Sequence, residues 1–213
     1  MSTPDNIFPV FDQILQREDK ENLLKQRAKV IWLTGLSGSG KTTIAKQLEY
    51  VLHQKGFLTK LLDGDNIRSG INNNLTFSAE DRAENIRRIS EVSKLFLDCG
   101  VVCINSFVSP TNDIRHKIIE IIGAENTLMV FVNTPLEVCE ERDVKGLYAK
   151  ARKGEIPNFT GISAPFDVPD MPHIEVKTDG LTVEESTKVI VEAVLPHILV
   201  GNIDESGEVK DGK

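Results

Sequence analysis

An α/β fold, a parallel β-sheet with helices on both faces, is predicted for this 213-residue chain by two observations. Short apolar runs recur at 30–33, 58–62, 101–107, 127–132 and 174–177, separated by helix-like segments, the alternation that builds βαβ units. Between the first run and the first helical pattern stands Gly35-Leu36-Ser37-Gly38-Ser39-Gly40-Lys41-Thr42, which fits G-x-x-x-x-G-K-[ST], the spacing of a phosphate-binding loop. The length suits one domain core.

From Asp12 to Gln26 the apolar residues Ile14, Leu15, Leu23 and Leu24 recur at roughly helical spacing, interrupted by the polar run Gln16 to Asn22. This predicts a peripheral helix or two, an N-terminal extension over residues 1–29. Val30 to Leu33 then reads as a buried strand, and Thr43 to Leu48 opens a helix whose N-terminus favours phosphate. In the loop between them the glycines let consecutive N–H groups converge on phosphate oxygens. Lys41 reaches the β and γ phosphates and the Thr42 hydroxyl is placed for Mg²⁺. A nucleoside triphosphate is the expected ligand.

The strand at 101–107 ends without an acid, in Ser106-Phe107-Val108-Ser109-Pro110. The acids follow the strand at 58–62 instead, as Asp63-Gly64-Asp65-Asn66-Ile67-Arg68, where a strand end beside the phosphate loop would put them near the phosphates. Two carboxylates there could divide the work, one holding Mg²⁺ and one accepting a proton from an attacking hydroxyl, or form an ordinary Asp/Gly turn. Ser78 and Asp81 have capping-box spacing at the start of a helix. Arg82 and Asn85 lie three apart on one face of it and could converge on a ligand, with Ile86, Ile89 and Val92 turned inward. A charged helix-like piece, Glu140 to Lys153, precedes a Gly/Pro-rich stretch from Gly154 to Pro172 without a sustained period, the place for a lid of about residues 143–172. The polar residues 201–213 read as a disordered tail.

Composition narrows the partners. Acids outnumber bases by 32 to 25, so broad attraction to nucleic acid or anionic membrane is not expected. Three cysteines, Cys99, Cys103 and Cys139, have no paired C-x-x-C spacing, which fits a reducing compartment, and Cys103 reads as a small buried hydrophobe. No stretch of 18 apolar residues and no basic-then-apolar start occurs, so a cytoplasmic protein is expected.

The phosphate loop, Asp63 to Arg68, Phe77-Ser78, Asp81-Arg82-x-x-Asn85-Ile86-Arg87-Arg88, Phe107 to Pro110, Arg142 to Tyr148 and Phe159-Thr160-Gly161-Ile162 follow one another in the order and wording of adenylylsulfate kinases. The resemblance runs from about Val30 to His197. It implies a P-loop kinase fold over residues 30–200 with a mobile lid. The implied reaction phosphorylates the 3′-hydroxyl of adenosine 5′-phosphosulfate (APS) with ATP and Mg²⁺, giving 3′-phosphoadenosine 5′-phosphosulfate in sulfate activation. Gly35 to Thr42 and the adjoining Thr43 would bind ATP. Asp65, Asn66, Ile67, Arg68, Arg82 and Asn85 would hold APS, with Arg68 and Arg82 suited to its phosphosulfate oxygens. Phe77 and Phe159 would sandwich its adenine, and the backbone of Val108 and Ser109 would flank its ribose. Lys41, Asp63, Ser109 and Lys145 carry the catalytic expectations: Asp63 as general base, Lys145 closing onto the phosphates, and Ser109 as the family's phosphoserine position, beside which direct in-line transfer explains the same residues. Thr42 and Asp65 would serve Mg²⁺. A homodimer is implied as well.

The chain departs from the family at Thr76, usually Gly, and at Thr111-Asn112, usually Tyr-Arg. Another small-molecule or nucleoside monophosphate kinase would share the loop and lid without requiring Asp65 to Arg68, Phe77 and Arg82-x-x-Asn85. A nucleotide-gated switch would need only the triphosphate site.

Overall fold

The computed structural model describes residues 7–200. The tail expected at 201–213 lies outside the described residues. Five parallel strands, β1 (Val30–Thr34), β2 (Thr59–Asp63), β3 (Val102–Ser106), β4 (Thr127–Asn133) and β5 (Ile174–Lys177), form a sheet of order β2-β3-β1-β4-β5. Every predicted strand is present within a residue or two. β1, β3 and most of β4 are buried on both faces, which is why they read as unbroken apolar runs.

Eight α-helices pack around the described sheet: α1 (Arg17–Leu24), α2 (Lys41–Gln54), α3 (Gly64–Arg68), α4 (Ala79–Leu97), α5 (Asn112–Ile122), α6 (Leu136–Arg142), α7 (Leu147–Arg152) and α8 (Val183–Ile198). One core layer joins Ile44, Leu48 and Leu52 of α2 and Ile190, Val191 and Val194 of α8 to Ile31, Leu33 and Val130. The other joins Ile86 and Ile89 of α4 and Ile118 and Ile122 of α5 to Val30, Trp32 and Met129. The two layers confirm helices on both faces.

Three local expectations differ from the structure. α1 falls on the polar run Gln16 to Asn22 and buries no residue fully; a capping box between Gln16 and Asp19 starts it. Long-range bonds then dock it, from the Arg17 guanidinium to the Ala28 carbonyl and Asn126 and from Lys20 to the Asp98 carbonyl. The charged piece 140–153 is two helices, because the Asp143 carboxylate accepts from the N–H groups of Tyr148 and Ala149, both at 3.0 Å, and caps a fresh start. Lastly, β3 lies between β1 and β2, so the acid-bearing strand is not the immediate neighbour of the loop strand.

Candidate active site

The phosphate loop leaves β1 and enters α2. Gly35 has no room for a side chain, since a Cβ there would lie 2.5 Å from the Val132 carbonyl oxygen, and Gly40 caps α2 at φ +98°. The loop is braced from the ends of neighbouring strands. The Gly35 N–H and Thr34 hydroxyl donate to the Val108 carbonyl at 3.4 and 2.7 Å, and the Thr134 and Thr178 hydroxyls reach the Ser39 carbonyl at 3.0 and 3.5 Å. Those two threonines follow the carboxyl ends of β4 and β5, where open α/β sheets build their sites; the sequence reading left them unassigned.

Lys41 is 8% exposed, and its Nζ donates to the carbonyls of Gly35 and Leu36 at 2.9 and 2.6 Å. Burial pulls its ammonium down to a pKa of about 8, with Cys139 and Asp63 acting in the opposite direction. The Thr42 hydroxyl donates to Asp63 Oδ2 at 2.8 Å and lies 3.4 Å from the Ser106 hydroxyl. Asp63 is buried and also caps α3 by accepting from the Asp65 N–H at 3.1 Å. Asp65 points outward, with Lys145 paired to its Oδ2. The two carboxylates therefore stand in different places: Asp63 against the loop threonine, Asp65 in the open beside the lid lysine.

Hard oxygen donors at Thr42 and Asp63, next to a loop built for phosphates, suit Mg²⁺, which is held by one or two side chains and completes its shell with phosphate and water oxygens. Thr43, exposed at the start of α2, lies next to this pair in sequence.

Arg68 and Arg82 are committed to loop backbone. Arg68 donates to the Thr76 carbonyl at 3.0 Å and its guanidinium carbon sits 4.4 Å from the Phe77 ring centroid. Arg82 donates to the Phe77 carbonyl at 3.0 Å, the Asn158 carbonyl at 2.7 Å and the Thr160 hydroxyl at 3.0 Å. One guanidinium thus ties together the backbones that carry Phe77 and Phe159. Phe77 itself is 64% exposed, a large ring covered only by the Arg68 guanidinium on one side. Asn66 is exposed, while Ile67 packs partly against the core.

Asn85 does not converge with Arg82. It is buried, and its Oδ1 accepts from Asn72 at 3.0 Å, whereas the longer Arg82 side chain on the same face reaches out to Asn158 and Thr160. The expected capping box is half present: the Ser78 hydroxyl accepts from the Asp81 N–H at 3.1 Å, but the Asp81 carboxylate turns to Thr76, accepting from its N–H at 2.7 Å and from its hydroxyl. That bond gives the departure at Thr76 a purpose, since it holds the backbone just before Phe77. At the other departure, Thr111 caps α5 and the Asn112 Oδ1 accepts from Arg115 at 2.7 Å.

Ser109 is 2% exposed at φ +43°, and its hydroxyl accepts from the Trp32 indole at 2.9 Å. Its carbonyl accepts from buried Arg115 at 2.7 Å, and Arg115 also reaches the Asp167 carbonyl at 2.6 Å. Sequence reasoning named neither Trp32 nor Arg115 here: Trp32 is 77 positions away, and Arg115, only six away, carries no motif of its own.

A parallel sheet with a triphosphate loop at one strand end and a second, aromatic-walled constellation facing it defines a P-loop nucleotide kinase. The sequence pattern of the adenylylsulphate kinase family matches residues 27–177. The chain is 62% identical over 198 residues to the adenylyl-sulfate kinase of Bacteroides thetaiotaomicron, covering 93% of this chain and 98% of that protein. It is 49% identical to the adenylyl-sulfate kinase of Clostridium acetobutylicum over 86% of this chain and 91% of the relative. Among solved structures it is similar to the Mycobacterium tuberculosis APS kinase in complex with AMPPNP and APS, with a TM-score of 0.76 and 42% identity over 79% of this chain and 98% of the other. The chain belongs to the adenylylsulphate kinase family.

Proposed function

We propose that this chain transfers the γ-phosphoryl group of ATP to the 3′-hydroxyl of APS, releasing ADP and 3′-phosphoadenosine 5′-phosphosulfate. The observation that carries this reading is the Arg82 guanidinium, which joins the Phe77 and Phe159 loops into one acceptor wall, separate from the Lys41 loop that takes the triphosphate. A switch protein has no use for that wall.

In the proposed reaction Gly35 to Thr43 hold the polyphosphate through backbone N–H groups, Lys41 and the start of α2. Thr42 and Asp63 would hold Mg²⁺, whose chemistry when bound is to neutralise charge on the phosphoryl oxygens. The position of Asp63 against Thr42 favours exchanging the two carboxylate roles expected from sequence, with Asp65 as the group near the acceptor hydroxyl. Lys145 now pairs with Asp65 and would leave it for the incoming phosphates. Asp65 Oδ then takes the 3′-hydroxyl proton, the 3′-oxygen forms its bond to the γ-phosphorus, and the bond from that phosphorus to the ADP oxygen breaks. Most of the acceleration comes from alignment and from Lys41 and Lys145 as charges. Phe77 and Phe159 stack on the acceptor adenine; Arg68 supports Phe77 from one face, and Arg68 and Arg82 would have to exchange part of their backbone hydrogen bonds for phosphosulfate oxygens to hold them. Asn66, Ile67 and the Val108–Ser109 backbone shape the remaining wall, and Asn85 would support it from the interior through Asn72. The buried Ser109 hydroxyl supports direct transfer over a phosphoserine step.

No helix among the described residues is long and apolar enough to cross a membrane. A cytoplasmic location, a homodimer and the absence of nucleic-acid partners remain part of this proposal. The deciding experiment incubates the purified protein with ATP, Mg²⁺ and either APS, AMP or other nucleotides, and resolves the products by anion exchange. Phosphorylation of APS at the 3′ position is expected. Preferred phosphorylation of a nucleoside monophosphate would overturn the reading.

A further inference from the structure

Tyr148 stands between the two halves of the site. Its side chain is 2% exposed, and its hydroxyl donates to the Ser37 carbonyl in the phosphate loop at 2.8 Å. Its ring meets Phe159 edge-on, with centroids 5.0 Å apart and planes at 78°. Asp143 anchors the backbone beneath it by capping the N–H of Tyr148 itself. A second contact runs alongside: a Cβ on Gly161, two residues beyond Phe159, would lie 2.9 Å from Leu36 Cδ2. The arm that carries Phe159 therefore rests on two consecutive loop residues, Leu36 and Ser37.

We infer that Tyr148 is a positioning residue that reads the occupancy of the phosphate loop and sets the angle of Phe159, so that bound ATP tightens the acceptor site. The inference rests on the proposed function for the role of Phe159. Lys41 satisfies the carbonyls of Gly35 and Leu36; a bound polyphosphate would compete for the same ammonium and so would loosen its hold on both carbonyls. The next carbonyl along, that of Ser37, is the one Tyr148 holds. A shift of the loop is thus passed through a rigid phenol to a ring whose edge-to-face packing depends on angle. Burial raises the phenol pKa, so the group stays a donor across the working range. Coupling of this kind is reciprocal: APS must tighten ATP by the same factor.

The test measures APS binding by calorimetry with and without a non-hydrolysable ATP analogue, in wild type and in Tyr148→Phe, which keeps the ring and loses only the O–H. In wild type the analogue should tighten APS by roughly five-fold or more, the lower end of ordinary coupling between sites. In Tyr148→Phe that ratio should fall toward one, with the affinity for ATP alone preserved and the loss confined to the binding of each ligand in the presence of the other. A purely structural tyrosine would weaken both ligands alike and leave the ratio intact. Phe159→Leu gives a second arm, since it keeps the bond to Ser37 and removes the ring; it too should abolish the ratio. A wild-type ratio of one, or an unchanged ratio in either variant, overturns the inference. Should wild type fail to phosphorylate APS at all, the functional reading itself is what fails.

Discussion

The Trp32 indole donates to the Ser109 hydroxyl at 2.9 Å in the protein interior, and the same serine is held at φ +43° with its carbonyl on Arg115 at 2.7 Å. The hydroxyl is thereby occupied with architecture. Ser109→Ala leaves a buried indole N–H without an acceptor, which costs about 1–3 kcal/mol of stability. Denaturant unfolding should show that loss while transfer persists at saturating substrates. Abolished transfer at unchanged stability would return Ser109 to the chemistry.

Lys41 supplies a pH dependence whose sign is determined. Burial lowers its pKa to about 8 in the ligand-free protein, and a bound polyphosphate favours the ammonium, raising the value in the complex. Between those two values the complex holds more protons than the free protein, so ATP affinity should fall as pH rises through about 8, by at most roughly tenfold per pH unit. For folding the sign reverses. The unfolded lysine titrates at its ordinary 10.5, so from about pH 8 to 10.5 the unfolded chain binds more protons and this group makes the free protein more stable as pH rises. ATP titrations in which affinity is flat across this range would contradict the assignment. Lys41→Ala should abolish transfer while the fold survives.

Arg82 ties Phe77 to Asn158 and Thr160 without touching the phosphate loop. Arg82→Ala should weaken APS binding and leave ATP affinity nearly as in wild type. Equal losses for both ligands would show that the acceptor and donor halves are divided wrongly.

The exposed Phe77 and its counterpart Phe159 are expected to stack on one base. Each alanine variant should lose about 1–3 kcal/mol of APS binding, the range for a base on one aromatic face. Undiminished affinity in either would make that ring packing alone.

The lid should move between fixed ends. Asp167 is strapped by its N–H to the Pro110 carbonyl at 2.8 Å, by its carbonyl to Arg115, and by its carboxylate to the Asn112 N–H at 3.0 Å. The Lys145–Asp65 pair is exposed on both sides and holds little against solvent. Amides from about Gly154 to Phe166 should exchange hydrogen quickly in the free enzyme and slowly with both substrates, while the capped Tyr148 and Ala149 amides and the Asp167 amide stay protected throughout. Protection of the whole segment without ligand would leave Lys145 a static charge.

The strands were legible because burial on both faces leaves a parallel strand almost purely apolar, a signal carried by consecutive residues. The phosphate loop was legible for the same reason, since Gly35 to Thr42 are contiguous, but its bracing by Val108, Thr134 and Thr178 was not. α1 was not, because caps and distant partners such as Ala28 and Asp98 hold it, while its own sequence is polar. The break before α7 depends on which backbone N–H groups the Asp143 carboxylate finds, and a sequence does not say where a carboxylate turns.

Residue types at short, regular spacing were enough for the fold class and the phosphate-binding loop, and the resemblance of seven motifs in order was enough for the family. Tertiary structure decided the division of labour within the site. Asp63 rather than Asp65 meets Thr42, across 21 positions; Arg82 parts from Asn85 and crosses 76 positions to Asn158; Tyr148 crosses 111 to Ser37. Asp63 and Asp65 have the same side chain two residues apart, and only the path of the chain, which buries one at a strand end and leaves the other on the first turn of α3, gives them different neighbours and so different chemistry.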